Sequence, residues 1–158
     1  AMSVTSILLC FFWYKNNILI NRFKNTKLKK NAFMIFGILS ALFLLIHSIL
    51  LGLETDVKIF KFLRRVVLLS FVIFEIIAQS LLVVNFYKLK IELTNYLNLN
   101  ILKLKILLVS TLIFIAIISI PLLIMSGNVH FKHGLEWNYF IGVILFYLLT
   151  RFFWKKNF

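Results

Sequence analysis

Three histidines and five acidic residues supply the imidazole and carboxyl groups of this 158-residue chain, and with one cysteine they are its usual metal-ligating side chains. His130, His133 and Glu136 fall at every third position in the stretch NVHFKHGLEWNYF. On a helix such residues share one side, and imidazole with carboxylate is a donor set that zinc accepts. Gly134 sits among them and weakens a helix at that point. The adopted reading is that they hold neither metal nor cofactor. Glu54, Asp56 and Glu92 fall between the apolar runs, whereas His47 and the pair Glu75 and Gln79 lie inside them. Glu75 and Gln79 are one helical turn apart on the same face.

A carboxyl in such a run is costly unless it is neutral, paired or hydrated, which makes Glu75 the leading site residue. It fits a hydrogen-bonding carboxyl, with His47, Arg64 or Arg65 as expected structural partners. Soluble enzyme signatures are missing: there is no G-x-S-x-G, no Walker loop, no H-E-x-x-H and only one aspartate, Asp56. An enzyme acting on lipid head groups would have to use Glu75, His133 and Glu136 as its acid and base. Cys10 is the single cysteine, so no internal disulfide or cysteine metal cluster is available.

The elements that must position these groups follow from composition. Hydrophobic residues make up 62% of the chain and the mean hydropathy is +0.99, against roughly 45–50% apolar residues in a soluble domain. The expectation is an all-α integral membrane protein, one transmembrane domain over residues 1–158, with about five helices. Four apolar blocks are clear: Ala32–Leu53, Val66–Tyr87, Ile106–Met125 and Asn138–Trp154. A weaker one, Ser3–Ile20, is interrupted by Lys15, Asn16 and Asn17. Trp13 and Tyr14 read as interface anchors there. The segment Lys88–Lys105 carries apolar residues at both strand-like and helix-like spacing, so periodicity does not decide it; the simple expectation is a helix continuing from the third span or lying along the membrane surface, and Pro121 should kink the fourth span.

A net charge of +13 would suggest nucleic acid in a soluble protein, but here the basic residues fall between the apolar blocks. Six precede the first clear block, four follow it, four follow the second, one the third and three the last. Alternate groups therefore hold thirteen against five. The positive-inside rule puts the richer set, including the carboxyl terminus, in the cytoplasm, facing anionic lipid rather than nucleic acid.

Depth then groups the polar residues. His47 lies about 9 Å and Glu75 about 13 Å inward from the outer ends of their spans, at about 1.5 Å per residue. His133, Glu136 and Trp137 lie at the start of the last span on the same side. His47, Glu75, Gln79, His133, Glu136 and Trp137 are thus expected to line a polar pocket in the outer half of the bundle. Its occupant would be a lipid head group or a partner helix, from another membrane protein or a second copy. A transporter or channel using Glu75 is the alternative reading. A membrane-embedded enzyme or metal/haem protein, or a minor subunit of a complex, comes after it. Gly37-x-x-x-Ala41 is a small-residue face that lets the second helix approach a neighbour closely.

The carboxyl-terminal stretch HFKHGLEWNYFIGVILFYLLTRFFW resembles the last helix of the damage-regulated autophagy modulator (DRAM) family. There a histidine-containing outer loop leads into Glu-Trp, and the helix ends near a Phe/Tyr and Thr pattern. The corresponding residues are His133, Glu136, Trp137, Phe146, Tyr147 and Thr150. The stretch RRVVLLSFVIFE is loosely similar to that family's middle helices. The resemblance implies a protein of endomembranes or the cell surface, with roles in autophagy, lipid-anchor remodelling or lipid-kinase recruitment. It also implies six spans, where this chain offers five.

Overall fold

The computed structural model describes residues 2–23, 31–53, 58–125 and 129–155, with side chains except at 23, 119–133, 135 and 136. The described chain is an all-α bundle of five helices: α1 Met2–Phe23, α2 Ala32–Gly52, α3 Lys58–Lys88, α4 Leu99–Met125 and α5 Val129–Phe153. Helices α1 to α4 are each long and apolar enough to cross a membrane, as a multi-pass protein requires. The apolar part of α5, Trp137–Phe153, is 17 residues or fewer. It extends about 26 Å, slightly less than a hydrocarbon core of about 30 Å.

Three helices start well before their apolar blocks: α3 at Lys58, α4 at Leu99 and α5 at Val129. A charged residue ends a hydrophobic span but not a helix, because lysine and arginine are good helix formers. The histidine–glutamate stretch is therefore helical in spite of Gly134, which places His130, His133 and Glu136 at neighbouring positions on one side of α5. Their side chains lie outside the described residues, as does that of Pro121.

The segment after α3 departs from expectation. Instead of a continued or surface helix, Leu89–Tyr96 is a succession of turns, with Leu93 and Leu97 fully buried. Leu97 makes an antiparallel bridge with Trp154 at the end of α5. Asn98 donates its N–H to the Phe153 carbonyl (3.0 Å), and Lys155 donates its N–H to the Tyr96 carbonyl (3.0 Å). Lys155 Nζ donates to the Thr94 carbonyl at 2.8 Å. The first of these bonds occupies a carbonyl at the end of α5 that a helix leaves unpaired, and the other two tie Lys155 to carbonyls of the turn segment. Asn98 then starts α4 as an N-cap, its Oδ1 accepting the Asn100 N–H at 3.1 Å. The repeated asparagines of NYLNLN break the helical pattern by offering such side-chain bonds.

The chain forms two compact units, Ala1–Leu82 and Val83–Phe158, and α3 contributes to both. In the first, α1 lies antiparallel against α2. Ser3 and Ser48 hydroxyls meet at 2.8 Å near one end, and Trp13 packs on Gly37 in the middle, where a Cβ would fall on ring atoms Cδ2 and Cγ. Trp13 is thus no interface anchor. It is fully buried, beside Phe12 and Phe33, while Tyr14 is exposed. The small-residue face of α2 has the role expected of it, with α1 as its neighbour. In the second unit α4 packs against α5, with Gly142 over Leu112. Phe86 from the end of α3 packs edge-on to Phe153 (4.9 Å) and Trp154 (6.2 Å).

Large apolar side chains such as Leu8, Phe11, Ile35, Ile59, Phe62, Leu69, Leu107 and Phe114 point outward. In water that surface would drive aggregation, whereas against acyl chains it is the required solvent-facing surface.

Candidate functional site

The first unit centres its polarity on the α2–α3 interface. The buried residues of α2, Phe33, Gly37, Ser40, Ala41, Leu44, His47 and Leu50, recur at helical spacing and form one face. On α3 the fully buried positions include Phe71, Glu75, Ala78, Gln79 and Leu82, again one face. Where the two faces meet, Ser40 Oγ lies 2.6 Å from Glu75 Oε2, and Gln79 Nε2 donates to Glu75 Oε1 at 3.0 Å. Ser40, Glu75 and Gln79 are all inaccessible to solvent. Phe74 stacks between Phe36 (5.9 Å) and Phe43 (5.4 Å), holding α2 and α3 in register on the adjoining surface.

Of the expected partners of Glu75, neither His47 nor Arg64 is the one whose bond defines this cluster. Arg64 Nη2 donates instead to the Leu53 carbonyl at the end of α2, filling an acceptor that the helix leaves open. His47 is buried two helical turns beyond Ser40 along α2, and its Nδ1 has no hydrogen-bond partner among the described residues. Gln79 Oε1 is likewise buried without a partner among them. Of the six residues expected in the pocket, the first unit thus supplies His47, Glu75 and Gln79. Trp137 belongs to the second and is about two-thirds exposed. The side chains of His133 and Glu136 lie outside the described residues.

Ser40 is a site residue that the sequence reading passed over. The signal was present: it lies between Gly37 and Ala41 on the close-packing face, so a hydroxyl there must point toward another helix or its own backbone. It does both, since Ser40 Oγ also lies 2.8 Å from the Gly37 carbonyl oxygen.

The second unit holds a cluster that sequence reading assigned to a cytoplasmic loop. Lys105 is 1% exposed. Its Nζ donates to Thr150 Oγ1 at 2.7 Å and sits over two aromatic faces, Phe146 at 4.2 Å and Phe153 at 4.8 Å. Thr150 donates its own O–H to the Phe146 carbonyl at 3.0 Å, so its oxygen is oriented as an acceptor for the ammonium. Each desolvated cation–π contact contributes about 2 kcal/mol. That partly offsets the several kcal/mol for removing a charge from water. Phe146 and Thr150 are one helical turn apart on α5, and both meet Lys105 of α4.

Lys105→Met should therefore leave thermal stability in detergent unchanged or raise it by about 1 kcal/mol, because the thioether keeps the aromatic packing and removes the buried charge. Thr150→Val should lower it by about 1–3 kcal/mol, since the ammonium loses the Thr150 hydroxyl as an acceptor. A loss of stability in Lys105→Met as large as that in Thr150→Val would show that the charge itself stabilises the α4–α5 pair.

Among the described residues no three histidine, cysteine or acidic side chains come together in a way that could hold a metal ion. No family model matches the chain, and no curated protein or solved structure is significantly similar to it.

Proposed function

We propose that this chain is a small non-enzymatic accessory protein of a membrane. Its polar cluster on α2 and α3 receives a hydrogen-bond donor from a lipid head group or a partner helix. The observation that carries this reading is the pair of buried, unmatched atoms, Gln79 Oε1 and His47 Nδ1. Buried polar groups nearly always have partners, and an amide oxygen can only accept. A ligand presenting hydroxyl or N–H groups would complete the set. The resemblance of the last helix to the autophagy-modulator family points to the same lipid-related class of role.

Native mass spectrometry of protein released from mild detergent tests the reading. Wild type should retain a lipid or partner mass that Gln79→Leu and His47→Leu both lose. Retention unchanged in both variants would sink it. A second reading is favoured by Glu75 itself: a solvent-inaccessible carboxyl in an apolar bundle suits the transport of protons or cations. Proteoliposomes without proton or cation flux would remove that reading.

The proposed orientation puts the carboxyl terminus in the cytoplasm, by the excess of basic residues on that side. In a Cys10→Ser background, Leu53→Cys should react with a membrane-impermeant thiol reagent applied outside. Asn95→Cys should react only after permeabilisation. The opposite pattern would invert the orientation.

A further inference from the structure

One end of the second unit gathers cations that lie far apart in the sequence. Asn98, just before α4, bonds to Phe153 at the end of α5, and Phe86 near the end of α3 packs on Phe153 and Trp154. The turns Leu89–Tyr96 are tied to the same junction by the bond from Lys155 Nζ to the Thr94 carbonyl. Lys88, Lys90, Lys103, Arg151 and Lys155 all stand at this end. Lys103 is the deepest of them, four residues into α4 or about 6 Å along the helix. Glu92 is the one acidic residue at this end among the described residues. Lys105 does not join them, because its ammonium is turned into the bundle on Thr150.

We propose that this end is a binding surface for acidic phospholipid, with the head-group phosphate on Lys88, Lys103 and Arg151 and the acyl chains along α4 and α5. Those three cations are exposed, whereas Lys90 lies over the Tyr87 ring at 4.3 Å and Lys155 is engaged with Thr94. The latter two add charge rather than reach.

The surface next to the cations favours a lipid over a soluble acidic partner. One turn deeper than Lys103, on the same face of α4, stands Leu107, which is 65% exposed. One turn deeper than Arg151 on α5 stands Leu148, which is 55% exposed. Each helix thus sets a cation near its end and an apolar side chain toward its middle, the order in which a phospholipid presents phosphate and acyl chain. Ile91, 80% exposed between Lys90 and Glu92, adds an apolar side chain to the turn segment. A soluble acidic chain would match the cations and leave these apolar groups uncovered. Lys88, Lys103 and Arg151 stand on helices, so their backbone is already ordered and binding costs mainly side-chain freedom. The surface shares no residue with the accessory-protein reading, which rests on Gln79 and His47 in the first unit.

Electron paramagnetic resonance tests it, on protein reconstituted in phosphatidylcholine with a trace of spin-labelled phosphatidylglycerol or spin-labelled phosphatidylcholine. Wild type should hold the acidic label several-fold more strongly than the zwitterionic one, and the preference should weaken as salt is raised. Each basic residue near such a surface is worth on the order of fivefold in association. Lys88→Gln, Lys103→Gln and Arg151→Gln combined should therefore lose most of the preference, and Arg151→Gln alone should lose part of it. Lys58→Gln, Lys61→Gln and Arg65→Gln combined removes the same charge near the start of α3, where Glu54 and Asp56 offset the basic residues in sequence. That variant should keep most of the preference. Equal association of the two labels with wild type would overturn the proposal, as would a preference that survives the first triple variant or falls equally in both. Soluble polyglutamate bound through the same three residues, without any lipid preference, would assign the surface to an acidic protein and overturn it too.

Discussion

Glu75→Ala will unfold in detergent at a markedly lower temperature than wild type, while Glu75→Gln will stay close to it. Alanine removes the group that receives the Gln79 N–H, and an orphaned buried donor costs about 1–3 kcal/mol. It also empties the volume of the glutamate side chain between α2 and α3, where neighbours such as Phe71, Ala78 and Leu82 are already buried and can collapse only in part. Interhelical hydrogen bonds in membranes average only about 0.6 kcal/mol each, so the cavity and the orphaned amide dominate. A total near 3 kcal/mol is expected, a fall in midpoint on the order of 5–10 °C. Glutamine has the shape of the acid and the same hydrogen-bonding pattern as its neutral form: an N–H for Ser40 and an oxygen for Gln79. Differential scanning fluorimetry in one detergent compares the three proteins. Equal destabilisation by alanine and glutamine would show that a negative charge, not a hydrogen-bonded shape, is what this site holds.

Gly37→Ala is the second large effect, from the addition of one methyl group. The new Cβ would fall on the indole of Trp13, which is wholly buried and has Phe12 and Phe33 beside it. A rigid bicyclic ring in that setting cannot swing aside, so α1 and α2 must part, at about 1–3 kcal/mol for overpacking. Gly142→Ala is the internal control. Its Cβ would meet the side chain of Leu112, which has other rotamers, and the expected loss is below about 1 kcal/mol. Thermal midpoints of the two alanine variants should therefore differ clearly. Adding Trp13→Leu to Gly37→Ala should recover stability relative to the sum of the single changes, because the two sites touch. Additive losses would place the strain of Gly37→Ala elsewhere.

The helices were legible because a membrane span is the strongest signal a sequence can carry. Ala32–Leu53 reappears almost residue for residue as α2. The first block, although broken by Lys15, Asn16 and Asn17, is part of α1 throughout. Asn16 satisfies itself by donating to the Phe12 carbonyl at 2.8 Å, a local bond that leaves the helix intact. What composition could not show was which side of a helix meets which neighbour. Trp13 reads as an interface residue from its place beside Lys15, and only the packing of α1 on Gly37 reveals it as core. Lys105 is one lysine in a run of several, and nothing local separates it from exposed Lys103. Its burial depends on Phe146, Thr150 and Phe153 in the next helix. Glu75 was identifiable because its cost is independent of its partner. Ser40 was not, because serine is cheap in a helix and gains meaning only from the carboxyl opposite.

The enclosure of Lys105 also bears on how the chain enters the bilayer. A span is handed to the membrane as a single segment, and a cation within it opposes partitioning by about 2.5–3.5 kcal/mol at the centre of the segment, less toward an end. On its own α4 would keep that ammonium at the water boundary, its long stem bent toward the head groups. Only when α5 is present do Phe146, Phe153 and Thr150 supply a coordination shell that replaces water. The two helices are therefore best delivered together, as a hairpin whose second arm solvates the first.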